Sequence, residues 1–109
     1  MRLLNKIDLG MIRAKLLTEF GNDIKEVILF GSRAKGDATI NSDYDILIIL
    51  NKKDYSWKYK YQINEVIYDL ELENDIIIDS HILSDYEVNN SLRGSQPIFI
   101  NAIDNGVYL

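Results

Sequence analysis

Apolar side chains recur at helical spacing at Leu9, Ile12, Leu16 and Phe20, with Asp8 placed to cap the start and Gly21 to stop the end. The chain is therefore expected to open with an amphipathic helix. From Ile24 to Phe30 the pattern changes to a β-branched and aromatic run, a strand that Gly31-Ser32 breaks. A second apolar run, Ile46 to Leu50, is entered through Asp43-Tyr44-Asp45. Helical spacing returns between about Trp57 and Leu72, where Tyr59, Ile63, Val66, Ile67 and Leu70 form an apolar stripe. The segment Asp75 to Leu83 then alternates as a strand does. Asp75, Asp79 and His81 fall on one face, and Ile76, Ile78, Ser80 and Ile82 on the other. Ser84 with Glu87 three residues on reads as a helix start, and Pro97 opens a short apolar helix ending near Gly106. The order α-β-turn-β-α-β-α predicts an α/β (α+β) domain, a small mixed sheet with helices packed on one side.

Composition narrows the class. With 109 residues and 47% hydrophobic content, the chain can bury one modest core, so residues 1–109 are expected to form a single domain. The absence of cysteine excludes disulfides and thiolate zinc sites and agrees with a reducing compartment. No stretch reaches the apolar length of a signal segment or a membrane span, so a soluble, cytoplasmic protein is expected. The net charge is −5, the pI near 4.7, and the lysines and arginines are scattered. No extended nucleic-acid surface is expected.

The chemistry concentrates between the first two strands. Backbone N–H groups at a glycine turn opening a helix point toward an anion, and the Ser32 hydroxyl adds a donor, so Gly31-Ser32 is a candidate phosphate site. Asp43 and Asp45 flank Tyr44 at a strand entry, and alternation projects both carboxylates to one side. Two such carboxylates repel unless a cation joins them, and Mg²⁺ takes one or two protein carboxylates while leaving positions for water and phosphate. Taken alone, an Asp-x-Asp is commonly a solvated loop or a helix cap. Here residues 33 to 42 separate Ser32 from Asp43, giving strand, Gly-Ser turn, polar loop, Asp-x-Asp and second strand in order.

This GS–x10–DxD arrangement resembles the polymerase-β-like nucleotidyltransferase superfamily, specifically its minimal nucleotidyltransferase (MNT) proteins. The resemblance implies a nucleotidyltransferase fold and transfer of NMP, AMP in first place, from an NTP to a hydroxyl acceptor. It implies that Gly31 and Ser32 hold the nucleotide phosphates, that Arg33 lies near the triphosphate, and that Asp43 and Asp45 bind two Mg²⁺ ions. A third carboxylate on a later strand completes the family pattern as ligand or base. Asp79, inside its strand with apolar residues before it, is the first choice; Asp75, at the strand start, is the alternative. The catalytic and metal-binding set is thus Asp43, Asp45 and Asp79.

Other residues are weighed more plainly. His81, the only histidine, could ligate a metal, but a lone strand histidine is more often a half-buried, hydrogen-bonded residue. Lys35 is read as a solvated loop lysine. Of Tyr55, Trp57, Tyr59 and Tyr61, at least two are expected to pack, which leaves base stacking or partner contact for the rest. Gly94-Ser95 lacks a preceding strand and a following Asp-x-Asp and is no second phosphate site.

The resemblance also implies a partner, because minimal nucleotidyltransferases pair with HEPN-domain proteins in toxin–antitoxin modules and modify the toxin with AMP. Homodimerisation is a further expectation for so small a domain. Two rival classes stand beside this reading. One is a nucleotide-binding antitoxin that acts by contact without turnover. The other is a small-molecule enzyme resembling aminoglycoside nucleotidyltransferases, for which the chain offers little pocket wall.

Overall fold

The computed structural model describes residues 9–36, 43–91 and 93–109. In chain order the elements are α1 (Gly10–Phe20), β1 (Ile24–Phe30), α2 (Ser32–Lys35), β2 (Tyr44–Leu50), α3 (Trp57–Asn74), β3 (Ile78–Ser84), α4 (Asp85–Asn90), α5 (Pro97–Asn105) and β4 (Val107–Tyr108), with a 3₁₀ turn at Gly21–Asp23. The strands form one mixed sheet in the order β3-β2-β1-β4. β1 runs antiparallel to β2 and to β4, while β2 and β3 are parallel and joined by the α3 crossover. The mixed α/β architecture expected from the sequence is present.

The pleat divides the core in two. Val27, Leu29, Ile46, Ile48, Leu50 and Ile82 face α1 and α3, meeting Ile12, Leu16, Ile63, Ile67 and Leu70. Ile28, Phe30, Leu47, Ile49 and Leu83 point the other way and pack on Phe99 and Ala102 of α5, with Val88 of α4 at the margin. The two long helices thus share one side as expected, but the opposite face is also covered, which corrects the expectation of helices on one side only. The reason is visible in the strands: Ile46 to Leu50 are buried without a break, and a run buried on both faces needs cover on both. Each fully buried Ile or Leu side chain stabilises the fold by about 1.5–3 kcal/mol.

Local signals account for the element ends. Ser56 caps α3 by accepting the Tyr59 N–H at 3.1 Å. Ser84 and Glu87 form the expected capping box at the start of α4, and Pro97 occupies the first turn of α5. The expected cap Asp8 lies outside the described residues. Tyr55 and Tyr59 pack against the core while Trp57 and Tyr61 are exposed, so two of the four crowded aromatics are structural. β4 was not expected; two exposed residues paired with Ile28 and Leu29 carry no periodicity that a sequence could reveal. Among the described residues no helix is long and apolar enough to cross a membrane.

Candidate active site

The end of the sheet where β1 finishes and β2 and β3 begin collects the polar chemistry. The antiparallel register sets Phe30 opposite Asp45, and the parallel register sets Asp45 beside Asp79. Side chains one residue apart on a strand share a face, so Asp45, Asp79 and His81 all lie on the α5 side, at the outer end of the row formed by Leu47, Ile49 and Leu83. Potential ligand atoms of Asp45, Asp79 and His81 lie within 4.8 Å of one another. Asp43 stands just outside β2, exposed and near enough for its charge to act on Asp45.

Gly31 makes this cluster sterically feasible. It follows β1 with φ +76°, and a Cβ built there would run into the Asp45 carboxylate, 3.1 Å from its Cγ. The Gly31 carbonyl then accepts the N–H groups of Ala34 and Lys35, turning the chain into α2. That helix is a single turn closed by Gly36 in the left-handed region. Ser32, its first residue, therefore directly follows the Gly31 that abuts Asp45. Arg33 extends from the same turn with its guanidinium 4.1 Å from the centre of the Tyr44 ring, a cation–π contact on the α3 side of the sheet. The Lys35 side chain is exposed, as expected.

The third-carboxylate alternatives are placed apart. β3 begins at Ile78, so Asp79 is inside the strand. Asp75 does not share its alternation, because α3 continues to Asn74 and Asp75 caps it in the left-handed conformation, φ 53°, donating its N–H to the Glu71 carbonyl. Glu71 reaches past the cap to accept the Ile78 N–H at 2.8 Å, which anchors the start of the strand.

Electrostatics mark Asp45. Burial, first, and the neighbouring Asp79 charge and hydrogen bond, next, push its carboxyl above the ordinary carboxylate range; His81 opposes this and Asp43 adds to it. A divalent cation between the carboxylates would reverse the repulsive contribution, and two carboxylates with one imidazole form a chemically competent donor set. The residues present thus fit a divalent metal. His81 is held at 3.4 Å from Asp79, Nε2 to Oδ2, with its ring between Phe30 and Phe99 at centroid distances of 5.6 Å each. Its half-burial agrees with the plain sequence reading; alternation places it on the Asp79 face, and the parallel register sets that face beside Asp45.

Among the described residues two surface hollows lie elsewhere, one along α1 and α3 beside Phe20, Tyr61 and Tyr68, the other beside Lys52, Lys53 and Tyr86. Neither includes a carboxylate of the cluster. Concavity and chemistry therefore disagree about location, and the converging charged groups are the more specific signal.

Comparisons with known proteins place the family and the fold. The family model described as "Nucleotidyltransferase domain" matches residues 9–98. Among solved structures, a chain from a crystal structure of a mutant of the toxin-antitoxin MntA-HpeT superposes with a TM-score of 0.62 at 21% identity, covering 95% of this chain and 72% of that one. Likeness at that identity speaks to the fold. No curated protein gives a significant match.

Proposed function

The chain belongs to the nucleotidyltransferase domain family, and on that premise we propose that it transfers a nucleoside monophosphate, AMP in first place, from an NTP to a hydroxyl group on a partner protein. One observation carries the reading: Asp45 and Asp79 are adjacent across β2 and β3, and the turn beside them is cleared of any side chain at Gly31. Asp43, Asp45 and Asp79 would hold two divalent cations, Mg²⁺ in first place. Bound there, such ions neutralise the α-phosphate and the leaving pyrophosphate and acidify the acceptor hydroxyl.

The chain's own groups divide the remaining work. Gly31 lets the backbone approach the nucleotide, and the Ser32 N–H and hydroxyl orient the β- and γ-phosphates. Arg33 adds positive charge to the triphosphate when it swings from the Tyr44 ring. Asp79, on an edge strand and 54% exposed in its side chain, accepts the acceptor proton as the new P–O bond forms and pyrophosphate leaves.

The acceptor is proposed to be a toxin of the HEPN class, which makes this chain an antitoxin. Support comes from the toxin–antitoxin assembly of its structural neighbour. The test incubates the protein with each α-labelled NTP and Mg²⁺, with and without the protein encoded beside it. Label on that neighbour, absent with Asp43→Asn or Asp45→Asn, is the expected result. Metal-dependent NTP binding without transfer would instead identify an antitoxin that acts by contact.

A further inference from the structure

We infer that His81 supplies a nitrogen ligand to the cation shared by Asp45 and Asp79, and that this donor turns the site toward Mn²⁺ and other first-row transition ions over Mg²⁺. The inference rests on the proposed metal role of the two carboxylates and adds a residue to it. His81 is two positions beyond Asp79 on the same face of β3, across from Leu47 in the parallel register. An ion at about 2.1 Å from each donor places neighbouring donors about 3 Å apart and opposed donors about 4.2 Å apart. The His81 Nε2 to Asp79 Oδ2 separation of 3.4 Å falls inside that span. The three-residue cluster closes within 4.8 Å, a little wider than that span, and a bound ion would draw the donors inward.

The same 3.4 Å separation is long for a charge-assisted hydrogen bond, which contracts to about 2.7–2.9 Å when it forms well. Imidazole and carboxylate therefore face one another without closing the contact, at a spacing that leaves room for a cation to bridge them. The ring is also preorganised. Phe30 meets it tilted at 52° and Phe99 edge-on at 66°, so two core aromatics from β1 and α5 hold its plane while Nε2 stays beside the carboxylates. A donor set of two oxygens and one nitrogen suits Mn²⁺, Co²⁺ or Zn²⁺ better than Mg²⁺, which favours oxygen alone.

The chain contains one histidine, which makes the test direct. Tag-free protein is prepared with natural and with ¹⁵N-labelled histidine, loaded with Mn²⁺ and a non-hydrolysable ATP analogue, and studied by pulsed electron paramagnetic resonance. A nitrogen coupling that changes from ¹⁴N to ¹⁵N with the histidine label is expected, and no substitution that could disturb folding is involved. Competition between Mn²⁺ and Mg²⁺ should favour Mn²⁺ by at least about tenfold more in wild type than in His81→Gln. Bound Mn²⁺ with no label-sensitive coupling would overturn the inference and leave the metal role of Asp45 and Asp79 standing. Failure of wild type to bind Mn²⁺ at all would overturn both. An unchanged preference in His81→Gln would overturn the selectivity.

Discussion

Gly31 and Asp45 occupy one another's space: the position of a Cβ on the glycine is already taken by the carboxylate of the aspartate. Gly31→Ala should therefore displace Asp45 in addition to straining a backbone at φ +76°, a strain of about 1–2 kcal/mol. Gly36 offers a matched control, since it has φ +80° but nothing within 4 Å of an added Cβ. Both alanine variants should melt at lower temperature than wild type, while only Gly31→Ala should lose Mn²⁺ or Mg²⁺ binding, read by titration calorimetry with an ATP analogue.

Asp45→Asn should separate stability from activity. Because the folded carboxyl is raised above 3.8, the native state holds its proton more tightly than the unfolded chain. Stability from this group is complete below pH 3.8 and declines as pH rises through the raised value, so ionised Asp45 weighs against the metal-free fold at neutral pH. The asparagine variant should accordingly melt higher than wild type at pH 7 without metal, and the gap should vanish on acidification. Added Mg²⁺ and nucleotide should stabilise wild type alone. Transfer by the variant should fall by at least about a thousandfold, equivalent to roughly 4 kcal/mol of transition-state stabilisation.

Much of this site was legible before the fold was seen. Gly31-Ser32 ends a strand, Asp45 enters the next and Asp79 sits inside the third, all through local alternation and turn chemistry, while Asp43 stands just outside β2 and does not join the Asp45, Asp79 and His81 cluster. What escaped depends on distant partners. Asp75 could not be told from a strand residue until α3 ran to Asn74 and used it as a left-handed cap. Alternation put His81 on the face of Asp79, but its exact pairing against β2 came only with the parallel register. The cover on the second sheet face comes from α5, whose apolar residues Phe99 and Ala102 looked like those of any short helix and lie beyond the family-matched span.

Tyr59 makes a second pH-dependent contribution. Its hydroxyl donates to Asp23 Oδ2 at 2.7 Å, and burial, followed by that hydrogen bond and the Asp23 charge, raises its pKa well above 10.0. The stabilisation is whole below pH 10 and is lost as pH climbs from 10 toward the folded value, since the unfolded phenol ionises first. Tyr59→Phe should reduce stability by about 1–2 kcal/mol at pH 7. The alkaline fall in stability, followed by urea unfolding between pH 9 and about 11, should be shallower in the variant.

Phe99 anchors α5 on the sheet and is 4% exposed. Phe99→Ala should cost about 3–5 kcal/mol in urea unfolding, from lost burial and the cavity left between Ile28, Leu47 and Leu83. Phe99→Leu, which keeps most of the volume, should retain more than half of that stability.

The parallel pairing of β2 with β3 has a bearing on when the chain becomes competent during its own synthesis and folding. Asp45 and Asp79 belong to strands connected only through the crossover that contains α3. A parallel pair of this kind forms late, because the entropy of closing the intervening loop is met before the contacts reward it. The β1–β2 hairpin can assemble earlier and carries Gly31, Ser32, Asp43 and Asp45, yet it has only part of the acidic set. On the proposed role of Asp79, a chain caught short of the final strand pairing would be inert, its chemistry waiting on completion of the native topology.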